Sequence, residues 1–462
     1  RVTLLVISPD YASHLLPLAT LATRWRDAGE RVVVATGPST AGIVADFGLE
    51  RVDLTLGRGS NPGVIRAEEQ PRDEGASLRG FFDATRRGMT QTLRYQAQER
   101  LTDLMWDPVG RGRRVLEIVD QVRPDAIIVD HLAFSARMAL QTAGVPYGDV
   151  VLGHPSALPV PGEVYGYPPF WPRAFAPSQE DLDELRELCD RVAAGFTGEW
   201  NRAARELDSR AADVDDAFAT HGGTHGGTVL YNYPAELAAT EGRMLPPHAF
   251  LGSTRREEDV APDILEWIAR DEPYVYVSFG SFLSVRDDVL ARVAEALRRL
   301  DVRAAIATGA TPAEALGDVP DGWLVRPHLP QVRLLKSAAV AVNHGGNNSV
   351  TEALGSGVPI LVLPFSTDQF AGAATIERAR VGVALGPNAA SVEELTDALR
   401  LLLGEDGNGD GAERAAVDRG LLRRIAEGQA ARPGPEVAYE ALAGTRSLTS
   451  ERIASGSPAA DR

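Results

Sequence analysis

Two successive sets of short apolar runs, each interleaved with helical patterns, most constrain the fold of this chain. The first set lies at residues 2–8, 31–36, 125–130, 147–153 and 228–232, and the second lies at 274–280, 303–309, 323–329, 340–344, 358–364 and 382–386. Continuous apolar runs between helices are typical of parallel strands that are covered on both faces. The sequence therefore predicts an α/β protein with two Rossmann-like, doubly wound domains, whose ligands bind at the carboxyl ends of the strands.

The chain length agrees with this prediction, because 462 residues are more than one ordinary core organises. A segment rich in proline and charge at 245–262 marks the expected boundary. We therefore expect an N-terminal domain at 1–245, a C-terminal domain at 246–415 and a helical segment at 416–462. Packing of that last segment back onto the first domain is one option.

Two stretches interrupt the alternation of strands and helices. Residues 57–90 are rich in glycine and arginine without a clear period, which predicts a mobile loop. Residues 155–177 combine many prolines with aromatic side chains and therefore cannot form a helix. Two interpretations of this second stretch stay open, since it could line an apolar pocket or simply cover one domain.

Composition limits the partners that the chain can have. The formal net charge of −17 argues against a nucleic-acid partner, because a phosphate backbone attracts Lys and Arg. Cys189 is the only cysteine, which excludes a disulfide framework and a cysteine metal cluster. We see no apolar stretch long enough to span a bilayer, so we expect no integral membrane segment and a cytoplasmic location. A monomer and a homodimer are both compatible with these properties.

The run "VNHGGNNSVTEALGSGVP" at 342–359 is the clearest candidate for a ligand site. An apolar strand ends there in His344, and a helix is predicted to begin a few residues later. Glycines let the backbone approach a ligand, and a helix N-terminus offers unpaired N–H groups, so this turn is a candidate diphosphate cradle. Ser349 and Glu352 also fit a capping box, in which both would satisfy only the amides of their own helix.

Residues 322–369 resemble the donor-binding signature of a known family. The matching pieces are "LPQ", "HGGNNSVTEAL", "GVP" and "DQ", in this order and at nearly the spacing of the family. The family is that of the UDP-glycosyltransferase-like enzymes (glycosyltransferase family 1), and the departures from the plant pattern favour a bacterial natural-product or macrolide-type member. Further similar stretches lie at 8–22, 123–140, 228–237, 251–254 and 275–281.

This resemblance implies a fold and an activity. The fold would be GT-B, in which two Rossmann-like domains face each other across a cleft. The activity would be that of an inverting glycosyltransferase, which moves a sugar from a UDP- or dTDP-sugar to a hydroxyl of a lipophilic acceptor such as a polyketide, macrolide or aromatic aglycone. The family generally needs no metal ion and no other cofactor, and the nucleotide sugar is a substrate.

The resemblance also implies a catalytic pair. A base must take the proton of the acceptor hydroxyl, and an imidazole can do so near neutral pH. His14 lies just beyond the first predicted strand, in the segment that is similar to the family's first loop. Asp130 ends another strand of the first domain, where its carboxylate would fix the imidazole tautomer and stabilise the imidazolium. We therefore expect His14 to be the general base and Asp130 its partner.

For the leaving diphosphate, the resemblance points to groups at the turn described above. The expected groups are His344 and the backbone amides around Gly346, Asn348 and Ser349, with Ser281 on the opposite side. Together they would neutralise the negative charge that develops as the sugar leaves.

For the rest of the donor, the resemblance assigns five further residues. Glu352 would bind the ribose hydroxyls, while Asp368 and Gln369 would bind sugar hydroxyls. Gln331 belongs to the "LPQ" piece of the signature. His328 stands where plant members have a Trp that stacks on the base, which leaves the choice between uracil and thymine open.

Two other functions stay open at this stage. A nucleotide-sugar epimerase on the same architecture would need further acid/base side chains that face the sugar. A non-catalytic donor-binding auxiliary protein would have no chemical need to keep His14. A dinucleotide-dependent oxidoreductase is excluded, because no G-x-G-x-x-G opens either domain.

Overall fold

The computed structural model describes residues 2–59, 72–103, 105–280, 286–404, 417–443 and 453. Within these ranges the strands form two sheets, one in each half of the chain. The first sheet contains β1 (Thr3–Ile7), β2 (Arg31–Thr36), β3 (Glu50–Asp53), β4 (Ala126–Asp130), β5 (Gly148–Val151), β6 (Thr228–Tyr231) and β7 (His248–Phe250). The second sheet contains β8 (Tyr274–Ser278), β9 (Arg303–Ala307), β10 (Leu324–Arg326), β11 (Val340–Asn343), β12 (Ile360–Val362) and β13 (Gly382–Ala384).

Helices connect the strands in both halves. The helices of the first half are α1 (Ala12–Asp27), α2 (Ala41–Asp46), α3 (Arg72–Arg87), α4 (Met89–Asp103), α5 (Pro108–Val122), α6 (Phe134–Thr142), α7 (Gln179–Leu207) and α8 (Ala235–Ala238). Those of the second half are α9 (Pro262–Ile268), α10 (Asp287–Arg299), α11 (Gln331–Leu335), α12 (Asn347–Gly355), α13 (Gln369–Arg378), α14 (Val392–Leu403), α15 (Arg419–Ala431) and α16 (Gly434–Ala443).

Both sheets are wholly parallel and share one strand order. The order is β3-β2-β1-β4-β5-β6-β7 in the first sheet and β10-β9-β8-β11-β12-β13 in the second. The chain winds away from β1 and from β8 in opposite directions, so a crevice opens at the carboxyl ends of β1 and β4 and of β8 and β11. Every predicted apolar run contains a strand, and the prediction of two doubly wound α/β domains is confirmed.

One apolar cluster joins the two sheets. It contains Tyr231 and Tyr233 from the end of β6 and Tyr276 and Val350 from the second half, all of them buried. This continuous packing brings the carboxyl ends of both sheets against each other, which is where the candidate site lies.

The prediction of a mobile loop at 57–90 is wrong for residues 72–87, which form α3. This helix packs against α4 and buries Phe82 and Ala84. Leu78, Phe81 and Phe82 have helical spacing, but the glycines and arginines around them hid this signal in the sequence. Residues 60–71 of the predicted loop lie outside the described residues.

The last helices pass from the second half of the chain to the first. Helix α15 packs on α12, whereas α16 packs on α1 and β7. Leu442 of α16 is buried in the same apolar cluster as Leu4 of β1, and the ring of Tyr439 lies 4.9 Å from that of Trp25. Arg24 of α1 also forms an ion pair with Glu436.

Candidate active site

A cavity of about 670 Å³ lies between the two sheets and is lined by residues of both. From the first half it takes residues at the ends of β1, β4 and β5, one face of α3 and α4, and part of the proline-rich stretch. From the second half it takes the turns after β8, β11 and β12. The predicted site residues on its wall are His14, Asp130, His344, Gly346, Asn348, Ser349, Asp368 and Gln369.

His14 and Asp130 meet at the crevice of the first sheet. His14 lies in the first turn of α1, directly after β1, and Asp130 is the last residue of the neighbouring β4. The Nδ1 atom of His14 is 2.6 Å from Oδ2 of Asp130, and the other carboxylate oxygen accepts the backbone N–H of Leu132 at 2.8 Å. A carboxylate can only accept, so Nδ1 carries the proton and Nε2 keeps a free lone pair.

The environment of His14 makes it more basic than a free imidazole. Burial lowers the pKa of His14, but the charge of Asp130 and its hydrogen bond act in the opposite direction, and the charge of Asp368 adds to them. The net pKa lies above the ordinary value of 6.5. The pair is therefore suited to taking up a proton in the cavity.

His344 lies at the crevice of the second sheet, between two glycines. A Cβ on Gly346 would approach Nε2 of His344 to 2.5 Å, and a Cβ on Gly280 would approach its Cε1 to 2.9 Å. Burial lowers the pKa of His344 to about 4, so the imidazole is neutral at pH 7. A neutral imidazole donates a hydrogen bond but no charge, so the role of His344 at a diphosphate stays a prediction. The positive end of α12 is the charge source that remains.

The N-terminus of α12 is free of side-chain caps. Its N-cap residue is Gly346, and no side chain accepts from the first amides of the helix. Ser349 is the third residue inside α12, so the capping-box interpretation of Ser349 and Glu352 is wrong. The unpaired amides of this turn face the cavity, as a site for an anion requires.

Glu352 lies on the buried side of α12 and bonds to other elements. One carboxylate oxygen accepts from Nε2 of Gln331 at 2.7 Å, and the other lies 3.6 Å from a guanidinium nitrogen of Arg256. Burial raises the pKa of Glu352 more than these two partners lower it. Only 5% of the residue is exposed and it does not line the cavity, so ribose binding by Glu352 stays a prediction.

Asp368 and its neighbours bind to the first half of the chain. Asp368 accepts the backbone N–H of His154 at 2.6 Å and does not cap its own helix. Thr367 has a φ of 52°, and its N–H donates to the side chain of Gln96 at 3.1 Å. A positive φ is costly for a β-branched residue, so this turn is held by its contacts. The side-chain oxygen of Gln369 accepts two amides of its own turn.

Three asparagines cross the cleft, and only Asn348 was among the predicted residues. The amide of Asn347 donates to the carbonyls of Leu152 and Asn232, each at 2.7 Å. The amide of Asn348 donates to the carbonyl of Ser13 at 2.9 Å and accepts from the Asn232 amide at 3.2 Å. Pro17 was a signal for this contact in the sequence. It lies four residues after Ser13 and has no N–H, so the Ser13 carbonyl has no partner within its own helix and needs another donor.

Comparison with known proteins shows what this chain is similar to. Residues 291–443 match the family described as "Erythromycin biosynthesis protein CIII-like, C-terminal domain". The chain is 28% identical over 319 residues to the "PGL/p-HBAD biosynthesis glycosyltransferase" of Mycobacterium tuberculosis, a match that covers 67% of this chain and 68% of that protein. The crystal structure of "glycosyltransferase VinC in complex with DTDP" superposes with a TM-score of 0.63 at 20% identity, over 96% of this chain and 100% of that one. The fold is therefore GT-B, and the sequence is similar to those of glycosyltransferases.

A third similar protein matches over a shorter length. The chain is 29% identical over 130 residues to the "Uncharacterized UDP-glucosyltransferase YojK" of Bacillus subtilis, covering 28% of this chain and 31% of that protein. The predicted resemblance to glycosyltransferases and the predicted GT-B fold are thus confirmed.

In this GT-B chain, the proline-rich stretch 155–177 does both things that the sequence left open. Tyr165 and Tyr167 line the cavity, and the Tyr165 ring stacks on Phe218 at 4.1 Å. Trp171 and Phe175 pack against the apolar cluster of α4 and α7 and so cover the domain. Tyr165 and Tyr167, together with Leu93 and Phe81, give the first half of the cavity an apolar, aromatic wall.

Like Glu352, the predicted donor residues His328 and Gln331 are not among the residues that line the cavity. His328 follows β10 and is exposed. Ser281 lies outside the described residues.

The described ranges also contain no group of three or more His, Cys, Asp or Glu side chains that could hold a metal ion. No helix in the same ranges is both long and apolar enough to cross a membrane.

Proposed function

We propose that this chain is an inverting glycosyltransferase that moves a sugar from a UDP- or dTDP-sugar to a hydroxyl of a lipophilic small molecule. The observation that carries the proposal is the placement of the His14–Asp130 pair and the uncapped N-terminus of α12 on one cavity. A base on one side and an anion site on the other are what a direct displacement at a sugar carbon requires. The aromatic wall supports a lipophilic acceptor, of the polyketide, macrolide or aromatic kind.

The reaction proposed is a single displacement. Nε2 of His14 takes the proton of the acceptor hydroxyl as its oxygen bonds to the anomeric carbon of the sugar. The bond from that carbon to the diphosphate oxygen breaks, and the nucleoside diphosphate leaves with the electron pair. Attack opposite the leaving group inverts the anomeric configuration. Asp130, which holds the Nδ1–H, stabilises the imidazolium that forms.

The donor would extend along the second half of the cavity. The amides at the start of α12 and the N–H of His344 would bind the diphosphate, whose charge the helix dipole stabilises. Asp368 and Gln369 are close enough to the cavity to bind sugar hydroxyls. Ribose binding by Glu352, whose carboxylate contacts Arg256 and Gln331, is part of this proposal. We propose no metal ion and no cofactor for this chemistry.

The choice of nucleotide is open to a binding experiment. A nucleotide that binds only the folded protein stabilises it, by about 2.7 kcal/mol at a hundredfold excess over Kd. We expect dTDP or UDP, but not GDP, to raise the midpoint of thermal unfolding. The Glu352→Gln variant should lose most of this rise, whereas Glu393→Gln, an exposed glutamate of α14, should retain it. The proposal would be contradicted if the midpoint of thermal unfolding were the same in the presence of UDP, dTDP and GDP.

The pH profile of transfer tests the base. His14 acts only when unprotonated, and its pKa is raised by Asp130. We therefore expect kcat/KM to fall as the pH drops, and the midpoint of this fall to lie above pH 6.5. In Asp130→Asn the raising charge is lost, so this midpoint should move to lower pH while the rate falls because the tautomer is no longer fixed. Asp125→Asn, a change just before β4 that affects a bond to the Thr3 amide, is the control and should keep the midpoint. An unmoved midpoint in Asp130→Asn would exclude His14 as the titrating base.

A further inference from the structure

Three asparagine side chains bridge the cleft at the point where the two crevices meet. Asn347 and Asn348 begin α12, and Asn232 follows the last residue of β6. The carbonyls that Asn347 binds, those of Leu152 and Asn232, lie just past the ends of β5 and β6, where the pairing of those strands stops. The start of the candidate diphosphate site is therefore tied to two strands of the acceptor side.

The bond of Asn348 has a specific cause in the sequence. In an α-helix the carbonyl of residue 13 accepts from the N–H of residue 17, but Pro17 has no N–H. The carbonyl of Ser13 is left for another donor, and the Asn348 amide fills this place from the other half of the chain. Ser13 directly precedes His14, so this bond fixes the backbone next to the candidate base.

We propose that Asn232, Asn347 and Asn348 form an amide latch that holds the cleft closed and positions His14 for transfer once the donor is bound. The latch residues are positioning residues, since they act on His14 through the Ser13 carbonyl. Binding of the diphosphate at the N-terminus of α12 would then affect the position of His14, because both depend on the first turn of that helix. The kinetic part of this proposal rests on the proposed transferase function, and the closure part does not.

Closure can be measured without any reaction. Cys189 is 1% exposed and burial raises the pKa of its thiol to about 11, so it should resist labelling. Labels at Ala28→Cys and Ala313→Cys, both exposed sites, report the separation of the two halves. We expect one short distance with the latch intact. In Asn347→Ala a second, longer distance should appear, with the closed-to-open ratio lowered about tenfold for two lost hydrogen bonds.

The coupling to His14 has its own test. We expect Asn348→Ala to lower kcat about tenfold and to change KM for the donor less than about threefold. The control is Asn388→Ala, which also removes an amide bond across the two halves, to the Thr85 carbonyl, together with a bond from Arg286, but touches neither Ser13 nor α12 in the described contacts. Its kcat should fall less than about threefold.

Pro17→Ala separates positioning from stability. The new N–H at position 17 satisfies the Ser13 carbonyl inside α1, which strengthens the helix and competes with Asn348. We expect unchanged or higher thermal stability but a lower kcat, and no further loss when Asn348→Ala is added.

The proposal is overturned by an unchanged label distance in Asn347→Ala, or by equal kcat losses in Asn348→Ala and Asn388→Ala. If Asn347→Ala fails to fold, Asn347→Ser serves in the distance measurement. If no acceptor is ever turned over, the transferase proposal fails while the distance measurement still decides on closure.

Discussion

Replacing His14 with alanine is expected to lower the transfer rate by about 10²–10⁴, the usual contribution of a general base. Nε2 of His14 is the free nitrogen of a ring whose other nitrogen is held 2.6 Å from Asp130, and no second imidazole of similar basicity lines the cavity among the described residues. Nucleotide binding should persist, because the proposed diphosphate site lies on the other half of the chain. The measurement is initial-rate kinetics together with a nucleotide titration of the same sample.

Replacement of a second histidine, outside the cavity, is the control for His14→Ala. His248 is exposed on β7 and bonds only to the nearby Pro246 carbonyl in the described contacts, so His248→Ala should retain full transfer. Full activity in His14→Ala would remove His14 from the proposed mechanism. Loss of both nucleotide binding and transfer would instead indicate a folding defect.

The largest expected effect on stability comes from Arg137, which bonds to the residue that follows Asp130. The guanidinium is fully buried, donates to the His131 carbonyl at 2.7 Å and lies 3.9 Å from the Asp149 carboxylate. Replacing it with leucine leaves Asp149 buried without this cation, which should cost about 3–5 kcal/mol. Thermal and urea unfolding of Arg137→Leu measure this loss.

The local pKa values support the expectation for Arg137. Burial alone would raise the pKa of Asp149, but the charges of His131 and Arg137 and hydrogen bonds hold it below the ordinary value. His131 bonds to Asp149 at 2.8 Å, but burial and the charge of Arg137 lower its pKa, so Arg137 is the main cation beside Asp149 at pH 7 in the unchanged protein. The control is Arg51→Leu at an exposed pair with Asp53, for which about 0–1 kcal/mol is expected. Similar losses in both variants would contradict a special role of the buried network.

Features that repeat along the chain, or that depend only on neighbouring residues, could be predicted from the sequence. Every apolar run became a strand, since a strand buried on both faces needs apolar residues throughout. The edge strand β3 (Glu50–Asp53) was not predicted, because its side chains are mostly polar and exposed. The site histidine after β1 and the aspartate at the end of β4 could be placed because neighbouring parallel strands end at one edge.

The parts of the site that depend on distant contacts could not be predicted. Glu352 fitted two roles in the sequence, and its actual partners, Gln331 and Arg256, come from the start of α11 and from the segment between the sheets. The neutral state of His344 follows from burial, which no local pattern reveals. The cleft contacts of Asn347 need both halves of the chain in place.

The return of α16 to the first half affects how parts of this chain can be exchanged with those of relatives. A cut near residue 250 that keeps only the preceding residues would leave Trp25 without Tyr439 and the β1 cluster without Leu442. A hybrid enzyme that takes its acceptor half from this chain should therefore also keep its own residues 434–443. To change the proposed donor specificity, the segment to exchange is the one that begins after β7 and ends before α16.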